Sequence, residues 1–183
     1  MRNRGMSVFV AVLLSLSLLG GACKSDDNKS NSSTTKVTTP SERQVQLGIT
    51  AQTKGDLDGA LSRYQKALQL DPTNKFAHYN IGTVLQSRND VTGASDAYEA
   101  ALNIDPKYRP ALYNLAILRE PFDQASAETL YGRILAITPN DANVLLRLGL
   151  LQKKMGKTSD SQANLAKAVS IDPKLQAQVD AAN

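Results

Sequence analysis

The sequence predicts an all-α solenoid of about four stacked helix-turn-helix units closed by a short C-terminal helix. Three observations lead there. Pro72, Pro106, Pro139 and Pro173 recur at spacings of 34, 33 and 34 residues, and a fixed period of this length marks a chain that repeats one supersecondary unit. Small and aromatic residues recur at helical spacing inside each unit: Ala60, Tyr64 and Ala67, then Ala94, Tyr98 and Ala101, then Ala127, Tyr131 and Ile134, then Ser161, Leu165 and Ala168. Turn and helix-start signals fall between the two helical patterns, as in Asn89-Asp90 with Gly93, while Asp105-Pro106 ends the second helix.

The chain opens on a targeting segment. Arg2 and Arg4 precede Val8 to Gly20, an apolar run of 13 residues. A membrane-spanning helix needs about 20, so residues 1–22 read as a secretory signal. Gly21 and Ala22 are small residues ahead of Cys23, the one cysteine of the chain, which therefore has no disulfide partner. The arrangement resembles the bacterial lipoprotein lipobox, although Gly20 stands where that family usually has Leu. The resemblance implies cleavage before Cys23, diacylglycerol on its thiol, and lipid anchoring at the extracytoplasmic face of a membrane in a bacterial cell envelope. From Cys23 to residue 40 the chain is rich in Ser, Thr, Asn, Asp and Lys and lacks aromatics. Such a stretch buries too little apolar surface to fold, so it is expected to be a flexible linker.

Residues 41–183 form the repeat domain, with units at about 41–74, 75–108, 109–141 and 142–174. The periodicity places helices at Glu42–Lys54, Leu57–Leu70, Lys75–Arg88, Val91–Asn103, Arg109–Arg119, Gln124–Ile137, Ala142–Lys154 and Asp160–Ser170. Gly48, Gly82 and Gly149 are expected to let the two helices of a unit approach closely. The third unit is one residue shorter, and its turn reads Glu120-Pro121-Phe122-Asp123. There Pro121 should end one helix and Asp123 cap the next. Ser159 to Gln162 reads as a capping box. Leu175 and Val179, four apart, predict a final short helix that covers the open apolar end of the stack.

The pattern resembles the tetratricopeptide repeat. Gly48, Gly82, Ala116 and Gly149 stand at its eighth position, Ala60, Ala94, Ala127 and Ser161 at its twentieth, and the prolines near its end. The resemblance implies a right-handed superhelix whose concave groove, lined by the first helix of each unit, binds a protein or peptide partner. By family register the groove positions are Val45, Gln46 and Ile49, then Phe76, Tyr79, Asn80 and Thr83. They continue with Tyr113, Asn114 and Ile117, then Asn143, Leu146, Arg147 and Leu150. Apolar and aromatic groups mixed with amides suit an extended peptide or a helix, and Asn80, Asn114 and Arg147 share one register as a row of donors. Some family members clamp a terminal carboxylate with Lys, Asn and Arg. Tyr79, Thr83 and Asn143 replace three of those groups and only Asn114 and Arg147 match, so the resemblance does not extend to that clamp.

Charge and composition point away from other functions. A net charge of +4, of which Arg2 and Arg4 leave with the signal, is too small a bias for a nucleic-acid partner. His78 is the one histidine, at a position where the family packs a bulky side chain. No set of metal ligands, no phosphate-binding glycine loop and no nucleophile elbow is present, which implies no enzyme, no cofactor and no metal. The basic cluster Lys153-Lys154-Met155-Gly156-Lys157 reads as a solvated turn. The expected function is an adaptor that holds a peptide or helix of an envelope partner. The alternative is a structural part of an envelope assembly or homo-oligomer, packing through convex or edge surfaces such as that near Phe122.

Overall fold

The structure, a computed structural model, describes residues 38–181. The signal segment, Cys23 and most of the linker lie outside those residues. Among the described residues the chain forms α1 (Pro40–Thr53), α2 (Leu57–Leu70), α3 (Lys75–Ser87), α4 (Val91–Ile104), α5 (Arg109–Arg119), α6 (Gln124–Ile137), α7 (Ala142–Lys154) and α8 (Thr158–Ile171). A single 3-10 turn, Pro173–Leu175, leads into α9 (Gln176–Ala181). No strand occurs among them, and no helix there is long and apolar enough to cross a membrane.

Side chains fix where the helices begin. Asp56, Asp90 and Asp123 each sit just before the second helix of a unit and accept from the backbone N–H three residues on, at 2.8, 3.0 and 3.1 Å. Gly55 and Asn89 take positive φ in the first two inter-helix turns, as Gly156 does in the fourth. The shortened third turn has no such residue: α5 stops at Arg119 ahead of Pro121, and Asp123 starts α6. At the unit ends, Asp71, Asp105 and Asp172 bond the backbone N–H two residues on, bending the chain around the following proline.

Two helix starts differ from the sequence expectation. α1 begins at Pro40 because Thr39 and Glu42 form a reciprocal capping box, with proline at the first helical position. The expected box at Ser159–Gln162 does not form. Ser161 N already donates to Lys157 O at 3.0 Å, so Ser159 and Asp160 lie inside the first turn of α8, which has no side-chain cap. Ser161 is buried instead, in the place that alanine holds in the other units.

Each helix packs on its neighbours in sequence, the arrangement of a stacked solenoid. Within a unit the rings of Tyr64 and Tyr98 lie against the backbone of Gly48 and Gly82. A Cβ on Gly48 would stand 2.4 Å from Tyr64 and one on Gly82 2.5 Å from Tyr98. Both tyrosines are wholly buried and cannot swing aside, so glycine is required despite its cost of about 0.5–1 kcal/mol in a helix. In the third unit Ala116 and Tyr131 stand at the same register, both fully buried, so that unit accommodates a methyl where the first two require glycine. Between units, Ser41 Oγ donates to Ala67 O at 2.9 Å and accepts from Asn74 Nδ2 at 2.8 Å, which ties the start of α1 to that of α3.

The two ends of the stack differ. Leu175 and Val179 pack on Leu145, Leu146, Leu165 and Ala168, so the terminal segment covers the last unit as expected. At the other end Leu47 is 42% exposed, whereas Leu115 and Leu148 at the same register are 4% and 6% exposed beneath the preceding unit. Gly82→Leu is expected to destabilise the fold by about 1–3 kcal/mol through overpacking against Tyr98. A thermal melt of that variant overlapping the wild-type curve would remove this packing assignment.

Candidate functional site

The concave side is built from α3, α5 and α7. Asn143, Leu146, Arg147, Leu150 and Lys154 fall at i, i+3, i+4, i+7 and i+11, so they occupy one face of α7. That face lines a cavity of about 860 Å³ whose other walls are Tyr79 of α3 and Arg109, Pro110, Tyr113 and Asn114 of α5. Glu120, Asp141 and Gln178 of α9 also line it, as do Ile134, Val144 and Leu151. Of the positions expected from sequence, Tyr79, Tyr113, Asn114, Asn143, Leu146, Arg147 and Leu150 are brought together here.

The remaining expected positions lie elsewhere. Phe76 is exposed at the start of α3 and lines a separate hollow of about 470 Å³ with Asn74, Ile104 and Asp105. Its ring meets Tyr108 edge-on at 5.7 Å, and Lys75 Nζ sits over both rings. Thr83 accepts from Gln52 Nε2 at 3.2 Å, a bond between first helices, and Ile117 is half-buried outside the cavity. In the first unit Val45 is core, while Gln46 and Ile49 are exposed on α1 and lie outside the cavity. Phe122 is 60% exposed at the irregular turn.

The donors expected in a row are engaged inside the protein. Asn80 Nδ2 donates to Phe76 O at 2.8 Å, one turn back on its own helix. Asn114 Nδ2 donates to Tyr98 Oη at 3.2 Å and to Tyr79 Oη at 3.4 Å. Arg147 Nη1 donates to Glu120 Oε1 at 3.0 Å while its guanidinium lies 5.8 Å from the centre of the Tyr113 ring. Tyr79 and Tyr113 are half-buried rather than free, the first tilted against Tyr98 and edge-on to Tyr108, the second edge-on to Tyr131. Arg109 pairs with Asp141 at 2.5 Å.

Glu120 was missed by the groove register because its role comes from a second repeating device. Tyr64 Oη donates to Gln52 Oε1 at 2.8 Å and Tyr98 Oη to Gln86 Oε1 at 2.7 Å; at the same register in the third unit Tyr131 Oη donates to Glu120. All three acceptors stand four residues after the small packing residue, a signal present in the sequence. Replacing the amide by a carboxylate creates a charge that Arg147 meets across the inter-unit boundary. Lys154 was read with the solvated turn, and Gln178 belongs to a helix whose position depends on the last unit.

Burial and neighbours shift the tyrosines upward. Burial pushes Tyr64 up to about 12. Tyr98 is also pushed to about 12 by burial, against the Asn114 hydrogen bond and with Tyr79 adding to the rise. Burial and then Tyr79 and Asp105 raise Tyr108 to about 12, and burial followed by the Glu120 carboxylate raises Tyr131 further. Burial works against the Arg147 charge, but Tyr131, Tyr113 and Glu120 outweigh it and leave this group above its usual value. Among the described residues no three His, Cys, Asp or Glu side chains converge as metal ligands, and His78 Nε2 is hydrogen-bonded to Pro72 O at 3.1 Å. Half-buried rings, leucines and ion-paired polar groups are the mix that ligand pockets combine.

Residues 53–88 match a family described as TPR repeat, and residues 77–108 and 142–175 match one described as tetratricopeptide repeat. The chain carries tetratricopeptide repeats. The third unit, with its shortened turn, lies outside the matched spans. Solved structures share the TPR fold at low identity. MamA is 23% identical, with a TM-score of 0.68 over 74% of this chain and 80% of that one. A tetratricopeptide repeat protein from Parabacteroides merdae has the same identity and TM-score over 73% of this chain and 54% of its own. The first TPR of Spaghetti (RPAP3), solved bound to the HSP90 peptide SRMEEVD, is 18% identical with a TM-score of 0.61 over 65% of this chain and 98% of that one. No curated protein sequence matches the chain.

The raised tyrosines give a pH dependence with a definite sign. Above about pH 10 an unfolded tyrosine loses its proton while Tyr64, Tyr98 and Tyr108 keep theirs to about 12, so the folded state binds more protons and stability falls as pH rises through that window. Melts between pH 8 and about pH 12 are expected to show a decline that begins near pH 10. A melting temperature constant across that window would contradict the burial of these phenols.

Proposed function

We propose that the protein is a membrane-anchored TPR adaptor of a bacterial cell envelope, holding an extended peptide or helix of an envelope partner in the concave cavity. The observation that carries this reading is the shared face of α7, where leucines and an arginine alternate opposite the tyrosines of α3 and α5. Such a surface offers apolar burial together with fixed polar groups, the combination that peptide grooves use. The neighbour bound to an HSP90 peptide shows that a TPR fold of this kind accommodates a short segment. Here Asn114 is tied to Tyr98 and Tyr79, and Arg147 to Glu120. They act as a preformed wall, and affinity comes mainly from apolar and aromatic contact.

The anchor rests on the sequence alone: a short apolar leader, small residues and the single Cys23. Two or three acyl chains on Cys23 would give stable membrane attachment, because a single chain binds only marginally. The linker then lets the repeats stand away from the lipid surface. A second reading, assembly through the solenoid edge, is favoured by Leu47, exposed on the first unit among the described residues.

A photo-reactive side chain placed at Asn143, which is exposed on the cavity face, is expected to cross-link a partner in native membranes. The same group at Ala163, exposed on α8 outside the cavity, is expected not to. Intact mass of the extracted protein should show a chain starting at Cys23 with added diacylglycerol or a third acyl chain. Cross-links equal at both positions, or products that contain only this chain, would contradict the groove reading. Cleavage without added lipid mass would contradict the anchor.

A further inference from the structure

We infer that the cavity selects a segment with an acidic side chain close to an apolar one, and that Lys154 is the residue that reads the acid. This deepens the reading of the concave face as a peptide site and rests on it. Three cations border the cavity: Arg109, Arg147 and Lys154. The two arginines are already matched, Arg109 by Asp141 at 2.5 Å and Arg147 by Glu120 at 3.0 Å. Lys154 is exposed, and no ion pair holds it among the described residues. With two carboxylates against three cations, the cavity keeps one net positive charge, and that charge sits on Lys154.

Its position decides what lies beside the acid. Lys154 follows Leu150 by four residues and stands one turn away on the same face of α7, roughly 5–6 Å apart at Cβ. In an extended segment, side chains two residues apart point to the same side at roughly 6.6 Å. An apolar side chain resting on the half-buried Leu150 therefore places a carboxylate two residues along within reach of the lysine. Three donors on a flexible stem accept it without strict geometry. The same charge disfavours a basic residue at that place, so Lys154 discriminates by attraction and by repulsion.

The test uses the full chain in detergent and three fluorescent peptides, acetylated and amidated so that no terminal carboxylate competes. Each alternates Leu and Ser and carries a central Asp, Ser or Lys two residues from a Leu. Anisotropy titrations are expected to rank Asp over Ser over Lys, with Asp binding about two- to fivefold tighter than Ser at low ionic strength. That ratio should fall toward one in about 0.5 M salt and in Lys154→Gln. Equal binding of the Asp and Ser peptides by the wild type, or an Asp preference that survives in Lys154→Gln, overturns the role of Lys154 while the groove reading stands. Ser-peptide binding that persists unchanged in Asn143→Arg, which blocks the cavity face, or no binding of any peptide, overturns the groove reading and this inference with it.

Discussion

The rest of the structure depends on the contact between a buried aromatic ring and a helix backbone with no side chain in the way. Tyr64 on Gly48 and Tyr98 on Gly82 bring the two helices of a unit together at a distance that a single methyl would forbid. Close packing makes that distance specific, because a ring with 0% exposure has no other place to go. The same rings then do a second thing. Their hydroxyls reach past the small residue to Gln52 and Gln86, and Tyr98 also accepts from Asn114 in the next unit. A contact inside one unit thus fixes the register between two units.

That register is what makes the concave face. Asn114 donates to both Tyr79 and Tyr98, and Arg147 and Tyr131 both donate to Glu120. The third unit replaces the Tyr–Gln pair by Tyr131 and Glu120, and the fourth supplies the arginine that answers the new charge. Partly exposed ion pairs of this type contribute only about 0–1 kcal/mol to stability. Their effect on the cavity is larger than their effect on the fold, since they hold Arg147 against Tyr113 and leave Lys154 as the uncompensated cation. In the binding role proposed for the cavity, apolar surface and one net charge would define what it prefers.

Much of the fold is legible in the sequence because each unit repeats its own local rules. The aspartates before α2, α4 and α6, the proline that closes each unit and the glycines opposite Tyr64 and Tyr98 are local signals, and a period near 34 residues repeats them. What could not be read are features that depend on tertiary distance. Thr39 lies in a polar stretch with no helical pattern, so its capping box with Glu42 was invisible, while Ser159–Gln162 has the right letters but falls inside a helix that backbone bonding starts earlier. The groove register gathers Tyr113, Leu146 and Arg147 around one cavity, since helical faces are periodic. It does not tell that Asn114 would be engaged by Tyr98 or that Phe76 would turn to Tyr108, because those partners lie far along the chain and meet only in the folded stack.

The most direct measurement of the central claim is a double-mutant cycle between Gly82 and Tyr98. Stability of Gly82→Ala, Tyr98→Ala and the double variant would be obtained from denaturant unfolding. If the ring against the bare backbone sets the helix spacing, Gly82→Ala destabilises the wild type despite alanine's higher helix propensity, and becomes neutral or stabilising once the ring is removed. The coupling would then exceed about 1 kcal/mol. Additive effects, within about 0.5 kcal/mol, would mean that the spacing of the helices is set elsewhere and that the concave face does not depend on this contact.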